Sequence, residues 1–245
     1  MKRVLLCVSY DGTGYSGWQF QENKLTIEGE LNKALSLLHS EEIKVIGASR
    51  TDAGVHSLSS MAVYDTNAKM PGEKVSFALN TRLPESIRIV WSKEVALDFH
   101  PRHCDTLKTY EYLIYNDEFM PPVKRLYSYQ VNKELDVEKM RKAAGFLVGE
   151  HDFKSFASVN TTAETTVRNI MDISIKKEGK EISILVTGNG FLYNMVRIIA
   201  GTLIEVGLGR RKPEDLEKML KAKDRRQAGP TAPAKGLTLK EFKFL

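Results

Sequence analysis

Apolar and polar positions recur with two different periods along the chain, and these periods mark strands and helices. Residues 3–10, RVLLCVSY, form an apolar run typical of a strand. In TIEGELNKALSLLHS the apolar side chains recur every three or four positions. That spacing predicts a helix capped by Thr26, with Ile27, Leu31, Leu35 and Leu38 on its buried face. Further strands are predicted in IKVIGAS (residues 43–49), SSMAVYDT and IRIVWSKEV, and a short helix in EKVSFALNTRL.

A similar succession of patterns starts again after Asp105. KTYEYLIYND predicts a strand with alternating aromatic residues, DVEKMRKAAGFLVG a helix, and VRNIMDISIKKEG and KEISILVTGNG a pair of strands. A long helix is predicted in GFLYNMVRIIAGTLIEVG and a short one with Pro213 at its first position. We therefore predict an α+β protein of two similar halves, residues 1–105 and 106–245, with a cleft between them in which a site would form.

Composition and charge favour a globular protein with a polyanionic partner. The 245 residues are 42% hydrophobic and 27% charged, which excludes a disordered chain. Lys and Arg number 36 against 31 Asp and Glu, and many of the cations fall within residues 207–226, GLGRRKPEDLEKMLKAKDRR. Such a cluster either contacts nucleic acid or forms an ordinary solvated helix face, and charge alone does not separate the two.

The apolar segments and the cysteines indicate a cytoplasmic protein without a membrane partner. The apolar part of MKRVLLCVSYDG is too short for a signal peptide, and no small-residue cleavage site follows it. FLYNMVRIIAGTLIEVG contains Asn194, Arg197 and Glu205, which favours a buried helix over a membrane span. Cys7 and Cys104 make no disulfide framework.

Two features of the sequence suggest a cofactor or a metal, and both lack the context such sites require. GTGYSG, residues 12–17, matches G-x-G-x-x-G, but further residues separate its last glycine from the helix at Thr26. We interpret it as a tight turn, with a nucleotide-dependent oxidoreductase as the alternative. His100, His103 and Cys104 lie close together in FHPRHC, but the other histidines are isolated. We therefore expect neither cofactor nor metal.

Two charged residues lie at positions where a charged side chain needs either a bonding partner or a role in a reaction. Arg197 lies in a helix that is apolar on almost every face, where a guanidinium needs a carboxylate or a phosphate unless it reaches an interface. Asp52, in ASRTDAGVHS, follows a predicted strand and precedes Ala-Gly. It either caps the backbone amides of a turn or takes part in chemistry.

Six motifs together resemble one family over nearly the whole chain. YDGTGYSGWQ, SRTDAGVH, KTYEYLIYN, HDFKSF, NGFLYNMVR and AKDR…APAKGL follow one another in the order and approximate spacing of the bacterial tRNA pseudouridine synthase A family. RTDAGVH is highly specific to that family, and Ser49 stands where many members have glycine. The resemblance implies isomerisation of uridine to pseudouridine in the anticodon stem-loop of tRNA, at positions 38, 39 and 40, without a cofactor. It also implies a homodimer with the pseudouridine synthase fold, in which two α+β halves with antiparallel sheets, flanked by helices, surround a central basic cleft.

The same resemblance assigns roles to four residues. Asp52 resembles the catalytic aspartate and Arg50 a nucleic-acid contact in the same loop, whereas Tyr110 resembles the residue that stacks on the target base. Arg197 resembles the arginine that pairs with the aspartate. One carboxylate suits an isomerisation, because no water has to be activated, whereas glycosidic hydrolysis usually uses two. The sequence leaves open whether the aspartate attacks C1′ or takes a proton from C2′. It also leaves a non-catalytic RNA-binding module as the alternative.

Overall fold

Strands and helices are mixed in both parts of the chain, which confirms the predicted α+β class. A computed structural model describes residues 1–159 and 163–245. These residues form two units: unit 1 consists of Met1–Asp105 and Leu239–Leu245, and unit 2 of Thr106–Thr238. The chain thus returns to unit 1 at its C-terminal end, whereas the predicted division kept residues 106–245 together.

Unit 1 is built on antiparallel strands covered by a helix. Its first strands are β1 (Lys2–Tyr10), β2 (Ile46–Gly47), β3 (His56–Thr66) and β4 (Ile87–Val95), and its helices are α1 (Ile27–His39) and α2 (Val75–Asn80). β1 lies between β3 and β4 and pairs antiparallel with both, and β2 pairs with β3. The predicted strands at the start of the chain, at 59–66 and at 87–95 are therefore confirmed.

Helix α1 begins and packs as its sequence pattern predicts. The side chain of Thr26 accepts a hydrogen bond from the amide of Gly29 at 3.2 Å, which satisfies one of the free donors of the first turn. Ile27, Leu31 and Leu35 are buried in one core cluster, against which Leu38 also packs. Burying each of these side chains contributes about 1.5–3 kcal/mol to folding.

The predicted strand at residues 43–49 is largely wrong, since only Ile46–Gly47 is a strand. The amide of Ile43 donates to Oγ of Ser36 at 2.9 Å, and that of Val45 donates to Oδ1 of Asn32 at 2.8 Å. Polar side chains of α1 thus hold the backbone that a neighbouring strand would otherwise pair with.

Unit 2 also combines a sheet with helices. Its strands are β5 (Thr106–Asn116), β6 (Tyr129–Val131), β7 (Gly149–Asp152), β8 (Val167–Glu178) and β9 (Glu181–Gly188), and its helices are α3 (Val137–Gly145), α4 (Met195–Gly207) and α5 (Asp215–Ala222). β5, β9, β8 and β7 are antiparallel neighbours in that order, and β6 runs parallel to β5.

Helix α4 lies in the core of unit 2, as its apolar faces predict. Met195, Ile198, Ile199 and Leu203 are all buried. The helix begins later than the predicted residue 191, because Asn194 adopts a left-handed conformation with φ 61° and therefore cannot belong to it. Across residues 1–159 and 163–245, the helices are all too short or too polar to cross a membrane.

The last strand, β10 (Leu237–Phe244), was not predicted. It lies beside β3, and the hydroxyl of Ser59 donates to the carbonyl oxygen of Lys240 at 3.3 Å. The amide of Leu245 donates to the carbonyl oxygen of Asp105 at 3.0 Å, and the rings of Phe99 and Phe244 meet edge-on at 5.3 Å. These contacts fasten the C-terminal residues to unit 1.

Candidate active site

The loop at residues 48–55, between β2 and β3, carries Arg50 and Asp52 on either side of a buried threonine. Oγ1 of Thr51 lies 2.7 Å from the hydroxyl oxygen of Tyr10, and the carbonyl oxygen of Thr51 accepts from the amide of Trp18 at 3.1 Å. Tyr10 and Trp18 belong to the core of unit 1. The loop is thus anchored through Thr51, while Arg50 is exposed and Asp52 half-buried.

Burial also fixes the protonation state of this anchor. The low polarity around Tyr10 raises the pKa of its phenol to about 12, because the charged phenolate is disfavoured there. The phenol therefore stays neutral near pH 7 and holds Thr51 by a hydrogen bond. The anchor of the loop does not change with pH across the physiological range.

Asp52 opens a tight turn at the end of this loop. The amide of Val55 donates to the carbonyl oxygen of Asp52 at 3.2 Å, and Gly54, the third residue of the turn, has φ 76°. The amide of Gly54 donates in addition to the carbonyl oxygen of Tyr15 at 3.2 Å. The backbone that carries Asp52 is thus held both within the turn and from the facing segment.

The facing segment is GTGYSG, and its two outer glycines allow it to approach the loop closely. A Cβ on Gly12 would lie 2.1 Å from the carbonyl oxygen of Val55. A Cβ on Gly17, where φ is 94°, would lie 2.7 Å from the carbonyl oxygen of Thr51. Both distances are shorter than any real contact, so only glycine permits this packing. The match to G-x-G-x-x-G is thereby explained by support of the Asp52 loop.

His56, a histidine isolated from the others in the sequence, is part of this support. Its ring is buried, and Nδ1 lies 3.1 Å from the amide nitrogen of Gly12 and 3.0 Å from Oδ1 of Asp11. Asp11 also accepts from the amide of Thr13 at 2.9 Å. The sequence signal that could have indicated this role is the position of His56 directly after the turn, within RTDAGVH.

Tyr110 lies in unit 2, on β5 opposite Val186 of β9. It is 7% exposed, and its ring meets that of Phe191 edge-on at a centroid distance of 5.2 Å. Two residues on, Tyr112 is fully buried and its hydroxyl donates to the carbonyl oxygen of Pro233 at 2.9 Å. Burial and the contact with Phe191 thus fix the orientation of the Tyr110 ring.

Arg197 lies in the first turn of α4 and is half-buried. Its Nε donates to the carbonyl oxygen of Ala232 at 2.8 Å, and Nη1 donates to Oδ1 of Asn194 at 2.7 Å. These two bonds orient the guanidinium. The structure thus brings Arg50 and Asp52 together in unit 1 and places Tyr110 and Arg197 in unit 2. The pairing of Arg197 with Asp52 stays a prediction.

Comparison with known proteins decides the family. The family model described as tRNA pseudouridine synthase matches residues 6–103 and 143–244, which is most of the chain. The chain belongs to this family. The expected resemblance and the class of enzyme, an isomerase, are thereby confirmed.

Full-length relatives of the tRNA pseudouridine synthase family agree with this assignment. The chain is 51% identical over 243 residues to tRNA pseudouridine synthase A 2 of Clostridium tetani, with 98% of each chain covered. It is 46% identical over 239 residues to tRNA pseudouridine synthase A of Thermoanaerobacter sp. strain X514, again with 98% of each covered. The corresponding protein of Acetivibrio thermocellus is 45% identical, with both chains covered completely.

In this tRNA pseudouridine synthase family member, much of the basic cluster at residues 207–226 is paired within the molecule. The ion pairs are Arg211 with Glu205, Lys221 with Glu217, Lys223 with Asp152 and Arg226 with Asp224. Arg225 donates to the carbonyl oxygen of Gly229 at 2.9 Å. Such pairs near the surface contribute only about 0–1 kcal/mol each to stability, but each carboxylate offsets the charge of the cation beside it. The cluster attracts a polyanion less strongly than its count of cations suggests.

The candidate metal ligands of this synthase family member form no recognisable metal site. The rings of His100 and His103 stack at 4.0 Å, and the thiol of Cys104 donates to the carbonyl oxygen of His100 at 3.5 Å. Within the part of the chain that the structure describes, no three His, Cys, Asp or Glu side chains are grouped so that they would hold a metal ion.

Proposed function

We propose that this protein converts uridine to pseudouridine in the anticodon stem-loop of tRNA, at positions 38, 39 and 40, with Asp52 as its catalytic carboxylate. Family membership and the printed names of the relatives support the substrate. The observation that carries the role of Asp52 is the bracing of its loop. Thr51 is bonded to the core, and Gly12 and Gly17 are packed against the backbone of Val55 and Thr51 in the same loop. A loop held this closely positions a reacting group well.

The reaction requires one ionised carboxylate. The bond from C1′ to N1 of uracil breaks, the base turns in the site, C1′ bonds to C5, the proton on C5 leaves, and N1 takes up a proton. Asp52 serves either by attacking C1′ or by taking the proton from C2′, and both routes need its charged form. Arg197, as the proposed partner of Asp52, would favour the ionised form of that carboxyl group. Exclusion of water protects the sugar from hydrolysis during the transfer.

Tyr110 and Arg50 are proposed to handle the base. The ring of Tyr110, fixed by its contact with Phe191, offers a surface on which the detached uracil stacks. Its hydroxyl, directly or through water, helps to remove the proton from C5. The target nucleotide must leave its stack to reach Asp52, at a cost of about a few kcal/mol. Arg50 is exposed in the Asp52 loop, and its side chain would fill the gap that the flipped nucleotide leaves.

We further propose that the protein works as a homodimer in the cytoplasm, without a cofactor or a metal ion. Isomerisation adds no atoms to the substrate and transfers no electrons from it, so the side chains of the protein supply the groups that the reaction needs. Most of the affinity for tRNA would come from phosphate contacts, which position the RNA without reading its sequence.

Release of tritium from tRNA labelled at C5 of uridine tests the reaction and the role of Asp52 together. Asp52→Asn keeps the size of the side chain and removes its charge, so we expect the rate to fall at least ~10³-fold, about 4 kcal/mol in barrier. Asp105→Asn is the matched control, because it makes the same change at an exposed position of unit 1 and should release tritium at the wild-type rate.

The Asp52→Asn protein must melt cooperatively and bind tRNA before its rate is interpreted. A folded, tRNA-binding variant with the wild-type rate would show that Asp52 only caps the turn. A wild-type protein that binds tRNA and releases no tritium would favour the non-catalytic RNA-binding module instead.

A further inference from the structure

Two cationic side chains share the sheet face of Tyr110 in unit 2. Lys108 precedes Tyr110 by two residues on β5, so both side chains point to the same face. Gly188 of β9 pairs with Lys108 on one side and with Ile170 of β8 on the other. Ile170 therefore lies on this face too, and so does Arg168, two residues before it.

The loop that follows β9 links Arg168 to the stacking surface. A Cβ on Gly190 would lie 3.6 Å from Cδ and Nε of Arg168, so the stem of that side chain lies against the loop. The next residue, Phe191, contacts the ring of Tyr110. The amide of Asn169 donates to Oδ1 of Asn189 at 3.2 Å, which fastens the same loop to β8.

The electrostatics of this pair favour an anion. Burial lowers the pKa of Lys108, and the nearby charge of Arg168 lowers it further. Burial also lowers the pKa of Arg168, whose Nη1 donates to the carbonyl oxygens of Thr165 at 2.9 Å and Val167 at 2.6 Å. Those acceptors are neutral, so they orient the guanidinium without neutralising it. Two like charges, partly removed from water on one face, repel each other, and an anion near both would offset that repulsion.

We propose that Lys108 and Arg168 form the binding site for one RNA backbone phosphate next to the nucleotide whose base stacks on Tyr110. Two residues along a strand span about 7 Å, which suits a nucleotide whose base lies on Tyr110 while its phosphate reaches Lys108. Arg168 offers a planar donor group of the kind that recognises phosphate oxygens. This inference rests on the proposed function, since it takes Tyr110 as the stacking residue.

Neutral phosphates in the RNA test the proposal without altering the protein. Anticodon stem-loops are prepared with a single uncharged methylphosphonate at each position in turn, and binding to the wild-type protein is measured across a range of salt concentrations. We expect one position beside the target uridine to make the slope of log affinity against log salt shallower by about 0.7–0.9, the value for one phosphate contact on a single strand or duplex.

The double variant Lys108→Gln with Arg168→Gln should show the same shallower slope on unmodified RNA. It should then show no further change when the methylphosphonate occupies the sensitive position. Lys176→Gln is the control, because Lys176 is an exposed cation on the same strand as Arg168, and its slope should match that of the wild type. Arg168→Lys, which keeps the charge, should keep most of the slope.

Two results would overturn the proposal: a double variant that melts cooperatively and has the wild-type slope, or one that stays sensitive to the same methylphosphonate. If these appear while the wild-type protein releases tritium, the phosphate site fails and the proposed function stands. A wild-type protein that releases no tritium overturns the proposed function, and with it the placement of the nucleotide on Tyr110.

Discussion

Replacing Gly12 by alanine should displace the Asp52 loop without removing any polar side chain of the proposed site. The new Cβ would lie 2.1 Å from the carbonyl oxygen of Val55 and 2.7 Å from its carbonyl carbon. Both are backbone atoms, so no side chain can rotate away to relieve the contact. Gly12 and Val55 must therefore separate by about 1.3 Å to reach an ordinary van der Waals distance of 3.4 Å.

Val55 transmits this displacement to Asp52, because its amide closes the turn on the carbonyl oxygen of Asp52. A shift of about 1 Å in a reacting group costs on the order of 10²-fold in rate. We therefore expect the rate of pseudouridine formation under single-turnover conditions to fall about 10²-fold in Gly12→Ala, with stability reduced by about 1–3 kcal/mol. Affinity for tRNA, measured by filter binding, should stay near that of the wild type.

Two other glycines separate this displacement from general effects of the substitution. Gly14→Ala changes a residue of GTGYSG whose φ is 81° and where a Cβ would meet nothing within 4 Å. It should cost about 1–2 kcal/mol of stability through backbone strain and leave the rate nearly unchanged. Gly145→Ala, at the end of α3 with open space around it, should change neither rate nor affinity. A wild-type single-turnover rate in folded Gly12→Ala would refute the bracing argument.

Three further experiments test Tyr110, the Arg3–Asp65 ion pair and the absence of a metal ion. Tyr110→Phe should keep tRNA affinity and lower turnover, whereas Tyr110→Ala should lower both; equal activity of Tyr110→Phe and wild type would restrict the residue to stacking. The guanidinium of Arg3 lowers the pKa of Asp65, so this pair stabilises the fold above about pH 4 and loses its effect as the pH falls through the lowered pKa. Asp65→Asn should therefore cost up to about 1 kcal/mol at neutral pH and flatten the fall of the melting temperature in acid; an unchanged acid profile would contradict this. Dialysis against a chelator should leave turnover unchanged, and loss of activity restored by zinc would assign a metal site to residues 100–104.

Helices whose apolar pattern is strong could be predicted from the sequence, because their burial depends little on what packs around them. Almost every position of α4 is apolar, and α1 combines a capping threonine with one apolar face. Their ends were harder to predict. The start of α4 is set by the left-handed backbone of Asn194, which no periodicity reveals.

Strands that depend on distant partners could not be predicted in the same way. Residues 43–49 have a strand-like pattern, yet side chains of α1 take two of their amides. β10 was missed because its buried residues do not alternate strictly: Leu237, Leu239 and Phe242 are buried, with two exposed residues between the last two. Pairing partners far along the chain determine both outcomes.

The motif located the candidate site in the sequence, but the residues that support the Asp52 loop could not be predicted from it. The residue types alone left open whether Asp52 caps a turn or takes part in chemistry, and the resemblance favoured catalysis. The close approach of Gly12 and Gly17 depends on which loop lies opposite them, so GTGYSG suggested a cofactor when taken by itself. His56 was overlooked for the same reason, because its contacts with Asp11 and Gly12 come from a segment more than forty residues earlier.

The return of the chain to unit 1 through β10 has a consequence for the newly synthesised protein. Residues 106–238 are made as one continuous stretch and contain all of unit 2, whereas unit 1 lacks Leu239–Leu245 until the whole of unit 2 has been made. During that interval the edge of β3 around Ser59 has no β10 to pair with, and its free backbone groups can pair with strands of other chains. Unit 1 is therefore started before unit 2 and completed after it, and nascent chains are most prone to aggregate through β3 until β10 has been made.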